Sequence, residues 1–186
     1  AETQAGKGVL PWRDPQALGA IGVTGSSAAN RAAQEADLII GIGTRLQDFT
    51  TGSRSLFPRQ DATGQALFQV NVQAFDAGKH GARSVVGDAR SVIEALGDRL
   101  RDWHVDVGTQ ARDREALAQW HQAVDAATAG DDDQRLPSDA QVIGAVQRGV
   151  GDDAVVVCAA GGLPGELHKL WRTAAAGGFH GEYGDS

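Results

Sequence analysis

The chain has no methionine, one tyrosine and one cysteine among its 186 residues. With Cys158 alone there can be no internal disulfide framework, and this usage fits a reducing, cytoplasmic setting. Basic residues are outnumbered, 17 Lys and Arg against 24 Asp and Glu, for a net charge of −7. That balance argues against nucleic acid or an anionic membrane surface as the main partner. No stretch approaches the run of about 20 apolar residues that a membrane-spanning helix needs. The start at Ala1 lacks the charged-then-apolar pattern of a secretory leader, and the end at Asp185-Ser186 follows directly on a glycine loop. An internal piece of a longer polypeptide is expected.

Glycine, by contrast, is plentiful at 25 residues, which points to many tight turns and backbone-lined loops. Hydrophobic residues make up 41%, enough for a packed core. Gly25-Ser26-Ser27 precedes an alanine-rich helix over 28–36, with either serine suited to cap it. The apolar run 37–43 has the length and β-branched content of a parallel strand buried on both faces. Strands are also predicted at 66–72 and 84–87, and Asp88 can cap a helix whose Val92, Leu96 and Leu100 share a face. Residues 112–128 form a helix with a Leu117, Trp120, Val124 stripe, and Ser138 caps another through Val142 and Val146. A strand follows over 154–158, then a helix over 166–172. This alternation predicts an α/β architecture: a Rossmann-like parallel-sheet domain, plus the start of a second α/β domain. The acidic, proline-ended run 131–137 is the expected linker between domains 1–130 and 138–186.

Several constellations could carry chemistry. Gly41-Ile-Gly43-Thr44-Arg45 leaves a predicted parallel strand where nucleotides commonly bind, although the full dinucleotide fingerprint is missing. Gly22 to Ser27 could hold an anion on backbone N–H groups, but it lacks a lysine, and simple helix capping is the expected role. His180 and Glu182 have the spacing of a zinc deaminase without its paired cysteines, so no metal site is expected. Cys158 is expected in the core, His121 on an amphipathic helix, and Asp76 and His80 on solvated surface. The sharper case is a pair of glycine-rich loops, Gly161-Gly162-Leu163-Pro164-Gly165 and Gly181-Glu182-Tyr183-Gly184, flanking one helix. The first of them sits at a strand terminus, a pocket arrangement whose ligand composition alone does not name.

Five segments resemble the thiamine-diphosphate-dependent enzymes of the acetohydroxyacid synthase type: 2–8, 18–30, 43–53, 71–80 and 162–172. Residues 47–53 and 163–172 are long enough to be specific within that superfamily. The resemblance implies that residues 1 to about 130 are a central domain, mainly structural, with flavin not expected. The rest would open the diphosphate-binding domain. It further implies that Gly161, Gly162, Leu163, Pro164, Gly165, Glu182, Tyr183 and Gly184 line thiamine diphosphate held with Mg²⁺. The glutamate that activates the cofactor would precede Ala1, and the Gly-Asp-Gly…Asn metal motif would follow Ser186, leaving no catalytic residue or metal ligand in this piece. Gly162 stands where the family pattern has serine, and Gly181 and Asp185 where it has bulkier residues. The branch most resembled hydrolyses a carbon–carbon bond of a cyclic 1,2-dione in myo-inositol catabolism, as a homodimer or homotetramer. The alternatives are a synthase-like ligase or lyase and a non-catalytic nucleotide-binding module.

Overall fold

The computed structural model describes residues 1–57, 65–130 and 136–182. In chain order these form α1 (Ser27–Glu35), β1 (Leu38–Ile42), α2 (Asp48–Thr51), β2 (Ala66–Asn71), α3 (Ala74–Ala77) and β3 (Arg83–Val86). They continue with α4 (Ala89–Arg99), α5 (Val107–Thr128), α6 (Asp139–Gly149), β4 (Val156–Cys158), α7 (Gly162–Leu170) and β5 (Phe179–Gly181). Two compact units result, one of residues 31–110 and the other of residues 1–30 with 111–186. The expected linker falls largely on 131–135, outside the described residues. No helix among the described residues is long and apolar enough to cross a membrane.

In the unit 31–110 the apolar runs do form a parallel sheet, in the order β1-β2-β3. β2, hydrogen-bonded on both edges, buries Leu67 and Val70. One expectation fails: β1 is not buried on both faces. Leu38, Ile40 and Ile42 are each between a third and a half exposed, while Gly41 is buried. Consecutive strand side chains point to opposite faces, so these three form one row, and that row lies on the outer strand of the described sheet. Asp88 caps α4 by accepting the Ser91 N–H at 2.9 Å. The Val92 and Leu96 stripe is only half buried, and Leu100 is exposed.

In the other unit, Ser26 begins α1. Its hydroxyl accepts the Ala29 N–H at 2.9 Å and donates to the Leu18 carbonyl at 2.6 Å. Asn30 grips the preceding turn, accepting from Gly22 N and donating to Gly22 O, each at 2.9 Å. The turn has no spare room, since a Cβ on Gly25 would stand 2.7 Å from Gly22 N. Gly22 to Ser27 is therefore a filled capping turn and not an anion cradle. α5 starts five residues earlier than the 112–128 stripe suggested, and it buries Leu117 and Val124. Ser138 and Gln141 close a capping box at α6. The core joins Val124, Ile143, Leu170, Trp171 and Phe179, with Trp120, Val156 and Cys158 packed against it. β4, α7 and β5 make a βαβ crossover with parallel pairing of Val156 to Phe179 and Cys158 to Gly181.

Candidate cofactor site

The first glycine-rich segment is not a free loop. Gly162 to Gly165 form the first turn of α7, which starts four residues before the expected Glu166 and ends at Leu170. Gly161 is the N-cap, at φ 137° and ψ −170°, a conformation essentially restricted to glycine. Pro164, third in the helix, lacks an N–H and costs nothing there, because first-turn amides have no helical acceptor. Gly165 N donates back to Gly161 O at 3.2 Å. The turn therefore presents the amides of Gly162 and Leu163. A Cβ on Gly162 would have no heavy atom within 4 Å, whereas one on Gly165 would stand 3.3 Å from Thr24 Cγ2.

The second segment is also more regular than expected, because Gly181 ends β5. Glu182 N donates to Cys158 O at 2.7 Å, which continues the β4–β5 pairing by one step. Gly161–Gly165 and Glu182 thus leave the same carboxyl edge of a parallel strand pair, the edge where α/β proteins bind ligands. Tyr183 and Gly184 lie outside the described residues. The edge suits an anionic group held by backbone, with two amides at a helix start and open space at Gly162, and Leu163 is the one large side chain of the turn. It fits part of a diphosphate cradle. Among the described residues, no group of three or more His, Cys, Asp or Glu is placed to hold a metal ion.

Beneath this edge lies a pair of residues that pattern reading passed over. His168 of α7 is fully buried, with Nδ1 2.8 Å from Thr24 Oγ1 and 3.1 Å from Thr24 O. Burial, and then the nearby charge of Lys7, push its pKa down to about 4, offset in part by the backbone at Thr24 and Thr3. The ring is neutral at pH 7. Lys7 is itself only 7% exposed, and burial lowers its ammonium to about 8, with Glu2 and then Cys158 opposing. Cys158 is a half-buried core neighbour, as expected, and burial raises its thiol against the pull of Lys7. His121 is partly covered and meets Trp12 edge-on at 5.2 Å, and burial and Arg172 lower its pKa.

The exit of β1 is closed by side chains. Thr44 O accepts Gln69 Nε2 at 2.8 Å and Asn71 Nδ2 at 3.1 Å, and Arg45 O accepts Lys79 Nζ at 2.9 Å. Arg45 itself points outward, its side chain 71% exposed and 3.8 Å from Asp76. Asp76 and His80 are not simply solvated surface. The Asp76 side chain is 14% exposed and lies 3.8 Å from both Arg45 and Lys79. His80 has a left-handed φ of 58°, with Nε2 2.8 Å from Leu46 O. His80 is drawn in by the Leu46 carbonyl, which needs a donor, and Asp76 by the cations of Arg45 and Lys79.

Comparison with known proteins adds two findings. The thiamine pyrophosphate enzyme central-domain family matches residues 1–96. Over its whole length the chain is similar to curated proteins named 3D-(3,5/4)-trihydroxycyclohexane-1,2-dione hydrolase. It is 38% identical to that of Geobacillus thermodenitrificans (strain NG80-2) and 35% identical to that of Clostridium perfringens (strain 13 / Type A). In each case it spans 32% of the relative's own length.

Proposed function

The chain belongs to the thiamine pyrophosphate enzyme family, and from that premise we propose that it is part of a hydrolase that opens a cyclic 1,2-dione by breaking a carbon–carbon bond. The observation that carries this reading is the 38% identity to such a hydrolase across the whole chain. Residues 1–130 act as the central domain, 131–137 as the linker and 138–186 as the opening of the diphosphate-binding domain. The full-length protein is a cytoplasmic homodimer or homotetramer that requires Mg²⁺.

When bound, thiamine diphosphate supplies an acidic thiazolium carbon that serves as nucleophile and electron sink. The chain's own part is binding and orientation. Gly161 sets the turn, and Gly162 and Leu163 offer amides to a phosphoryl oxygen. Pro164 and Gly165 fix the helix start, Glu182 leaves the neighbouring strand, and the family resemblance extends the cofactor-binding set to Tyr183 and Gly184. The positive end of α7 adds a favourable field for an anion. The β1 exit keeps a structural role, because Gln69, Asn71, Lys79 and His80 already occupy the carbonyls a nucleotide would approach.

The test compares Gly162→Val with Arg45→Ala in the full-length protein, measuring thiamine diphosphate binding by calorimetry and dione hydrolysis against cofactor concentration. Gly162→Val should raise the cofactor requirement at least about tenfold with circular dichroism unchanged, since its Cβ meets open space within the protein. Arg45→Ala should leave cofactor affinity alone. The opposite pattern would place the site in the wrong unit.

A further inference from the structure

Thr24 is the point at which the turn that caps α1 meets α7. The His168 ring comes to it with Nδ1 2.8 Å from Thr24 Oγ1 and 3.1 Å from Thr24 O. A Cβ on Gly165 would stand 3.3 Å from Thr24 Cγ2, and no other heavy atom outside α7 lies within 4 Å of that point among the described residues. Gly165 and His168 are three residues apart and so share one face of the helix. The hydroxyl, carbonyl and methyl of one residue therefore hold α7 at two successive turns.

Thr24 can do this because its own turn is braced. Gly25 N donates to Gly22 O at 2.9 Å, Ser26 N donates to Ala20 O at 2.7 Å, and the Asn30 amide holds both polar atoms of Gly22. The start of α7 has little bracing of its own. No side chain caps it at Gly161, and Gly161, Gly162 and Gly165 bring no side chain to pack. The apolar anchors of this segment lie further on, at Leu167, Leu170 and Trp171. We propose that Thr24 is a positioning residue for the cofactor site, fixing the first turn of α7, and with it the Gly162 and Leu163 amides, through His168 and Gly165. This role rests on the reading of that turn as part of a diphosphate cradle. Backbone donors serve a ligand only when held within about 0.5 Å of the productive geometry, so a loosened helix start weakens binding without losing any group that touches the ligand. Thr24 acts from behind the turn, since its hydroxyl and methyl are both turned to α7.

The test uses Thr24→Ala, Thr24→Ser and Gly162→Val in the full-length protein. Calorimetry gives the Kd for thiamine diphosphate in the presence of Mg²⁺, and dione hydrolysis gives kcat at saturating cofactor. Both are measured where circular dichroism shows each variant folded. Thr24→Ala loses hydroxyl and methyl together and should raise Kd about tenfold, with kcat at saturation within about twofold of wild type. Thr24→Ser keeps the hydroxyl and should bring Kd back to within about threefold. Should Thr24→Ala fail to fold, Thr24→Val keeps the shape without the hydroxyl and should raise Kd about fivefold. A merely structural role would lower Tm and leave Kd unchanged, and that result would overturn the proposal. A serine variant as weak as the alanine one would do the same. Gly162→Val separates the two inferences. A wild-type Kd in Thr24→Ala beside a raised one in Gly162→Val removes the positioning role alone, whereas wild-type values in both remove the cradle as well.

Discussion

Arg172 Nη1 lies 2.6 Å from Asp125 Oδ1, joining the segment just past α7 to the last turn of α5. The same guanidinium donates through Nη2 to His121 O at 3.0 Å and stacks 4.8 Å from the Trp12 ring centre. Trp12 carries Arg13 as well, at 4.9 Å, and takes the edge of His121. One side chain thereby ties together the N-terminal segment, α5 and the end of the βαβ crossover. The backbone of Arg172 is held too, by paired hydrogen bonds with the Gln147 amide.

The two halves of the ion pair should differ in worth. Asp125 is mostly exposed, so Asp125→Asn is expected to cost no more than about 1 kcal/mol. Arg172→Ala removes the stacking on Trp12 and the bond to His121 O in addition, and is expected to cost about 2–3 kcal/mol. Urea unfolding of both variants decides it. Equal losses would mean that the carboxylate contact alone carries the interaction.

Gly144 reverses the usual helix rule. In an exposed helix, Gly→Ala gains about 1 kcal/mol. At Gly144 of α6, a Cβ would meet the Thr128 Cβ at 2.6 Å and crowd Thr128 O, which already accepts Arg148 Nη1 at 2.9 Å. Gly144→Ala should therefore destabilise the chain by about 2 kcal/mol or more, through overpacking where α6 crosses the end of α5. Gly149→Ala, with nothing within 4 Å of its Cβ, is the control and should not destabilise.

What could be read in the sequence was local. Asp88 and Ser138 announced their helices because capping depends on a donor three residues away. The strands near 40, 68 and 157 were visible as apolar runs, and their parallel pairing followed from the intervening helices. The start of α7 was misplaced because three glycines and a proline in five residues resemble a loop, although only Gly161 needs a glycine conformation. The β1 exit was legible as a position but not as a closed one, since Gln69 and Asn71 come from a strand some 25 residues on. His168 was out of reach altogether. Its partner Thr24 is 144 residues away along the chain, and no periodicity encodes that contact.

His168 should make stability depend on pH in a defined window. Its folded-state pKa of about 4 lies below the ordinary value near 6.5, so the unfolded chain binds the proton more readily. Its contribution is thus fully present above about pH 6.5, declines as pH falls and is lost below about 4. The full swing is on the order of 3 kcal/mol. His168→Asn can still bond Thr24 but cannot titrate. The stability difference between the wild type and this variant, from urea unfolding at steps between pH 7.5 and 4, should shift against the wild type across that range. A constant difference would show that the ring is not held neutral.

Neighbouring glycines at the α7 start should respond in opposite ways, which separates fold from function at the proposed site. Gly161 holds φ at 137°, so Gly161→Ala forces an L-residue into a strained conformation and should cost about 1–3 kcal/mol. Gly162 lies within the helix at ordinary φ with open space around its Cβ, so Gly162→Ala should be neutral or stabilising by up to about 1 kcal/mol. In the full-length protein the order should invert for the cofactor. A methyl group at Gly162 stands in the space through which a phosphoryl oxygen would reach the Gly162 and Leu163 amides, so this stable variant should bind thiamine diphosphate more weakly. Chemical unfolding and calorimetry on the same two proteins supply both readouts. If Gly162→Ala binds the cofactor as tightly as the wild type does, the amides of this turn do not hold it.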